Sequence, residues 1–161
     1  MRAGWESFFI AQVGASAALT GLVFVALSIN LSSILGSRSL VDRAGEAVLL
    51  LVQPVLVGLA VLAPARSLRT TGLLAGAAAV SGWIMVSWLL VRAREASLDR
   101  PASEFWGRVT LAEVATVPAL VGAVVLLTGD SAGFALIALS AALAIVVGIV
   151  DAWVLLVEIL R

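Results

Sequence analysis

The chain has 161 residues, 62% of them hydrophobic and 12% charged, with a mean hydropathy of +1.16 and a formal net charge of zero. Soluble domains run nearer half apolar and a quarter charged, so the composition specifies an integral membrane protein, and a neutral chain carries no electrostatic footprint for nucleic acid. There is no Cys, His, Lys or Tyr; this removes disulfides, thiolate and imidazole metal ligands, Schiff-base chemistry and the usual general base, so an enzyme is not expected, nor a cofactor or resident metal.

Five apolar segments read as membrane spans: about residues 8–35, 42–63, 70–91, 104–128 and 132–160. The fold class is all-α, an integral membrane helical bundle forming a single transmembrane domain. Four spans is the alternative, if one segment is re-entrant. The first span, Phe8 to Leu35, contains no charged residue. Its 28 residues make roughly 42 Å of helix, longer than the roughly 30 Å hydrocarbon core, so it crosses with tilt or leaves its last turn in the interface. Trp5, Phe8 and Phe9 stand at its entry as interfacial aromatics. Gly14, Ala15, Ser16, Ala17, Ala18, Thr20 and Gly21 crowd its outer half. Small residues let membrane helices approach closely, so this span reads as a contact or lining helix. The N-terminus has no basic region and no small-residue cleavage site after a short apolar core, so a cleaved signal peptide is not expected.

The second span opens with Asp42 as N-cap and Glu46 in the first turns, which suits the helix dipole. Pro54 in mid-span frees the Leu50 carbonyl and predicts a kink. Pro64, Arg66 and Arg69 make a short basic turn. The third span carries Gly72-x-x-x-Gly76, then Ala79 and Gly82, at close-packing spacing. It ends in RAREASLDRPASE, the most polar segment of the chain, with Pro101 inside it. Trp106 and Pro118 mark the fourth span. Gly129-Asp130-Ser131 is a tight turn. The fifth span has a small-residue stripe at Ser140, Ala144, Gly148 and Ala152. Pro54-Val-Leu-Val-Gly58 and Pro118-Ala-Leu-Val-Gly122 share P-x-L-V-G at a 64-residue offset. This hints at parallel repeats of spans two–three and four–five, with the first span extra.

Five spans place the two ends of the chain on opposite sides. One side holds Arg2, Arg66 and Arg69; the other holds Arg38, Arg43, Arg92, Arg94, Arg100, Arg108 and Arg161. The positive-inside rule puts the richer side in the cytoplasm, with the N-terminus out and the C-terminus in.

Ionisable groups inside a bilayer cost about 2.5–3.5 kcal/mol each on insertion scales and ask for a reason. Glu46, Glu113, Asp151 and Asn30 all fall near the cytoplasmic ends of their spans, with Arg43 and Arg108 at similar depth. One reading is a polar vestibule or inorganic-cation site, since carboxylates ligate cations and relay protons. The other is plain ion pairing, Arg43 with Glu46 and Arg108 with Glu113, with both arginines as interfacial anchors. Asp151 fits the second reading least, because its own helix offers no basic neighbour. On the first span, Gln12, Ser16, Leu19, Val23 and Asn30 fall within about 40° of one line. Around a symmetry axis that stripe makes a pore with an apolar gate. Alternatively, Gln12, Ser16 and Asn30 bond across to neighbouring helices, at about 0.6 kcal/mol per bond.

The stretch from Trp5 to Asn30, WESFFIAQVGASAALTGLVFVALSIN, resembles the opening of a family of small bacterial integral membrane proteins without an established activity. Some members carry the label of FtsH-protease modulator. The resemblance covers the first span and implies a bacterial inner-membrane location. Taken together, these features predict a homo-oligomer in the lipid bilayer that forms a channel-like ion-conducting or ion-binding path. The alternative is a non-conducting regulator or assembly partner of a larger membrane complex, motivated by the close-packing stripes.

Overall fold

The computed structural model describes residues 2–64, 67–95 and 102–159. The turn around Arg66, the polar loop with Arg100 and Pro101, and the positions Leu160 and Arg161 lie outside the described residues. Six helices follow in order: α1 (Arg2–Ile29), α2 (Leu31–Leu35), α3 (Arg38–Leu62), α4 (Leu68–Glu95), α5 (Ala102–Thr128) and α6 (Gly133–Ile159). No strand occurs among the described residues. All but α2 are long and apolar enough to cross a membrane, which makes five candidate spans among the described residues.

The connections explain the topology. Asn30 leaves helical geometry at φ −103°, ψ 16°, and its Nδ2 donates to the Ala26 carbonyl, so the first apolar stretch breaks into α1 and α2. Ser37 is extended at φ −138°, ψ 124°, and α3 begins right after it. Asp42 therefore lies one turn inside α3 and is not its N-cap. At the other end of α3, Ala63 sits at ψ 143°, as the residue before Pro64 must avoid the helical region. Between α5 and α6, Gly129 takes φ +92°, the left-handed position that ends a helix most easily with glycine. Asp130 Oδ1 then accepts from the Ala132 amide at 2.8 Å and closes the turn. Short links force neighbouring helices antiparallel.

Helices α3, α4, α5 and α6 close an up-and-down four-helix bundle, each packed on the next and α6 returning to α3. Helix α1 stands outside this ring, packed on α3 and only lightly on α6. In lipid there is little hydrophobic drive between helices, so close van der Waals approach carries the packing. The glycines show where it is closest. A Cβ on Gly72 would meet the Ala123 carbonyl oxygen of α5 at 2.9 Å, and one on Gly148 would meet Leu51 of α3 at 2.9 Å. Gly122 and Gly133 bring the backbones of α5 and α6 together directly. The close-packing stripes read in the third and fifth spans thus lie at helix contacts; Ala79, Ser140, Ala144 and Ala152 are all buried.

The first span makes contact along one face only, where Phe9, Gln12 and Ser16 are buried and Gly58 of α3 lies against Val13; most of its small residues face away. Nothing lies within 4 Å of a Cβ placed on Gly14 or Gly21, and Ala15, Ala17 and Ala18 are exposed. At its N-terminal end the anchorage is aromatic. Trp5 and Phe9 of α1 sit 6.1 and 6.2 Å from the Phe134 ring at the start of α6, and Phe8 stands edge-on to Phe9 at 5.3 Å.

A buried ionic cluster as the candidate functional site

The start of α3, the end of α4, the start of α5 and the end of α6 share one end of the bundle. Each contributes ionisable side chains there. On α3, Asp42, Glu46 and Gln53 are spaced i, i+4, i+11, which is one helical face. That face points into the bundle, so all three are buried, Glu46 to 1% exposure. Ser140 and Asp151 of α6 are also eleven residues apart, and both are buried against it.

The partners come from far away in sequence. Arg108 of α5 donates from Nη2 to Glu46 Oε2. Arg43 of α3 donates from Nη1 to Glu158 Oε2 of α6 at 2.9 Å. Arg92 of α4 approaches Asp42 with its Nε 3.2 Å from Oδ1. Asp151 lies in the field of Arg43 and Arg108, and beside Glu46. It makes no hydrogen bond or ion pair among the described residues. Removing one member of such a network leaves a charge in a medium that solvates it poorly.

Above the cluster the polar line thins. Gln53 Oε1 is buried without a hydrogen-bond partner among the described residues. Its side chain is pressed by Gly82, whose Cβ would come within 2.8 Å of Cγ. Ser140 Oγ donates to the Ala115 carbonyl across α6 and α5 at 2.6 Å. A cavity of about 10 Å³ sits beside Gln53, Pro54, Ala119 and Ser140; that is about the least a single water requires. Toward the far end a wider recess of about 290 Å³ opens between Trp5, Glu6, Phe9, Pro64, Thr71 and Phe134.

The candidate residues divide. The structure brings Glu46, Asp151, Arg43 and Arg108 together. It does not form the pairs Arg43–Glu46 or Arg108–Glu113. Five residues along a helix turn by about 500°, so Arg108 and Glu113 face different neighbours. Glu113 is half-buried on another side and accepts from Trp83 Nε1 of α4 at 3.1 and 3.0 Å. Glu46 is fully buried within the cluster, not a shallow interfacial charge. Asn30 bonds within its own helix, to Ala26. Gln12 and Ser16 are buried against α3, where Gln12 Nε2 donates to Ser16 Oγ at 3.1 Å and its amide oxygen lies beside Gly58. The polar end of the α1 stripe is therefore turned into its own bundle.

Sequence reasoning missed Asp42, Arg92, Glu158, Gln53 and Trp83 as members of these networks. A signal existed for the α3 residues, since Asp42, Glu46 and Gln53 share a face by spacing alone. Among the described residues no group of three acidic side chains is placed to hold a metal ion. No protein-family model, no curated protein and no solved structure matches this chain.

Proposed function

We propose that the chain forms a channel-like ion-binding path through the interior of the α3–α6 bundle, with the ionic cluster as its inner, cytoplasmic mouth. The carrying observation is Asp151, a buried carboxylate without a direct partner among the described residues, beside two guanidiniums and a second carboxylate. A carboxylate so held exchanges a proton or a monovalent cation more readily than one locked in a bidentate pair. Gln53, Ser140 and the small cavity continue the line away from it. The arginine distribution supports an inward-facing cluster, with the N-terminus outside and the C-terminus in the cytoplasm. The likeness of Trp5–Asn30 to small bacterial membrane proteins supports an inner-membrane location.

The test is ion flux in proteoliposomes driven by a potassium diffusion potential, read with an internal pH dye and in parallel with a sodium dye. Wild type should exceed empty vesicles, and Asp151→Asn should bring the flux down at least tenfold. Glu113→Gln, which alters only the Trp83 contact, should change it little. Wild-type flux equal to that of empty vesicles refutes the path. Full flux in Asp151→Asn removes Asp151 from it.

One observation favours the second reading, a non-conducting partner or regulator that assembles with itself or another complex. The Gly14, Ala18 and Gly21 face of α1 is open, and small residues there admit a further helix at close range. A single protomer mass in nanodiscs, with no crosslinked neighbour, would count against assembly through that face.

A further inference from the structure

Helices α1 and α4 both pack on α3 and leave a cleft between them, roofed at one end by α2. The cleft holds about 530 Å³, in the range of small-molecule sites. Its walls include Phe24, Ile34, Val41, Val48, Met85 and Trp88. Ser28 is the one hydroxyl among its lining side chains, and its Oγ donates to Phe24 of its own helix. Along α3 the lining runs from Val41 to Leu49. That is about 12 Å of helix, close to the roughly 15 Å of one leaflet's hydrocarbon.

The charge at the cleft's mouth is as informative as its apolar depth. On α3, Arg38, Val41, Gly45 and Val48 share a face, so Arg38 stands one turn beyond the lining at the interface. On α4, Met85, Trp88 and Arg92 share a face, so Arg92 stands one turn beyond it at the same end. Arg38 is exposed and has no acidic partner among the described residues. Arg92 lies over the Trp88 ring at 5.4 Å and keeps 39% of its side chain exposed. Among the described residues, Asp42 and Glu95 are the acidic groups to weigh against these arginines. Asp42 is 1% exposed and engages Arg92 from the bundle side, and Glu95 is exposed one turn further along α4. An apolar slot one leaflet deep, ending in two outward guanidiniums, complements one amphiphile in both charge and length.

We infer that this cleft binds an anionic phospholipid of the bilayer, one acyl chain lying against α3 between α1 and α4, and the phosphate held by Arg38 and Arg92. A zwitterionic lipid offers the same chain but a headgroup whose own cation opposes the two arginines. Each arginine near the surface contributes about a fivefold preference for the anionic lipid.

The experiment reconstitutes the full chain in nanodiscs of equal phosphatidylglycerol and phosphatidylcholine. Native mass spectrometry then counts the lipids that stay on the protein after release. Wild type should retain one phosphatidylglycerol, enriched at least fivefold over phosphatidylcholine. Arg38→Gln should lower that enrichment about fivefold. Val48→Trp and, from the opposite wall, Met85→Trp should fill the slot and abolish the retained lipid with both arginines in place. Arg92 is left intact because it also faces buried Asp42. Equal retention of the two lipids overturns the inference, and so does undiminished retention in a tryptophan variant that keeps the wild-type circular dichroism. The two tryptophan variants sit on different helices, so failure of one to fold leaves the other to decide.

Discussion

The Arg108–Glu46 pair makes an asymmetric prediction. Glu46 is 1% exposed, whereas the Arg108 side chain keeps 23% exposure. Arg108→Gln strands a carboxylate inside the bundle, next to Asp151 of the same sign. Breaking a buried pair in that way costs about 3–5 kcal/mol. Glu46→Gln strands only a guanidinium. Its partly exposed head can move toward the interface on its long stem, and Asp151 still balances it. That change removes one charge-assisted hydrogen bond, about 1.5–3 kcal/mol. The double variant strands neither, so it should resemble Glu46→Gln, with a coupling energy equal to the cost of Arg108→Gln, about 3–5 kcal/mol. The assay is a double-mutant cycle in bicelles, with unfolding driven by steric trapping. Equal costs for the two single variants, or a double variant that is additive within about 0.5 kcal/mol, would refute the pairing and the burial argument together.

Three further outcomes test the packing. Gly72→Ala and Gly14→Ala are the same change in opposite surroundings. At Gly72 the methyl would sit 2.9 Å from a backbone oxygen, against 3.4 Å for ordinary contact, so α4 and α5 must part and about 1–3 kcal/mol is lost. At Gly14 nothing is met, and the helix gains up to about 1 kcal/mol in propensity; the same unfolding assay should separate the two in that order. Trp83→Phe keeps an aromatic ring, though a smaller one, and removes the donor to both Glu113 oxygens, which should cost about 1–2 kcal/mol; a loss under about 0.5 kcal/mol would show the contact to be idle. Ser140→Ala deletes the bond to the Ala115 carbonyl and should cost about 0.6 kcal/mol, the usual worth of such interhelical bonds.

The spans were legible because twenty-odd apolar residues between charged turns have one solution in a bilayer. Their ends were less so. Asp42 before an apolar run looks like an N-cap, yet α3 starts at Arg38, and the side chain that resembled a cap faces the interior instead. Depth along the membrane was readable from position in the chain, which is why Glu46, Asp151, Arg43 and Arg108 were placed at one level. Their pairing was not readable. Arg108 and Glu46 are 62 residues apart, and only the order of helices around the bundle decides that they meet. Local spacing offered Glu113 as the nearer carboxylate, and local spacing was the wrong guide. The small residues of α1 divide for a related reason: Ser16 is buried against α3, whereas Gly14, Ala15, Ala17, Ala18 and Gly21 face outward. Composition shows that a helix can be approached closely, and says nothing of whether its own chain does so.

The placement of α1 bears on how the protein comes apart. The ring of α3 to α6 closes on itself, so each of those helices loses two neighbours when it leaves, while α1 loses essentially one. Such an appended element has its own, lower opening free energy. Hydrogen exchange along α1 should therefore run ahead of the rest, except near Trp5 and Phe9, where the Phe134 ring clamps it. The protein is in that sense two cooperative units, a closed ring and a strap laid along α3 and clamped by aromatic rings at one end.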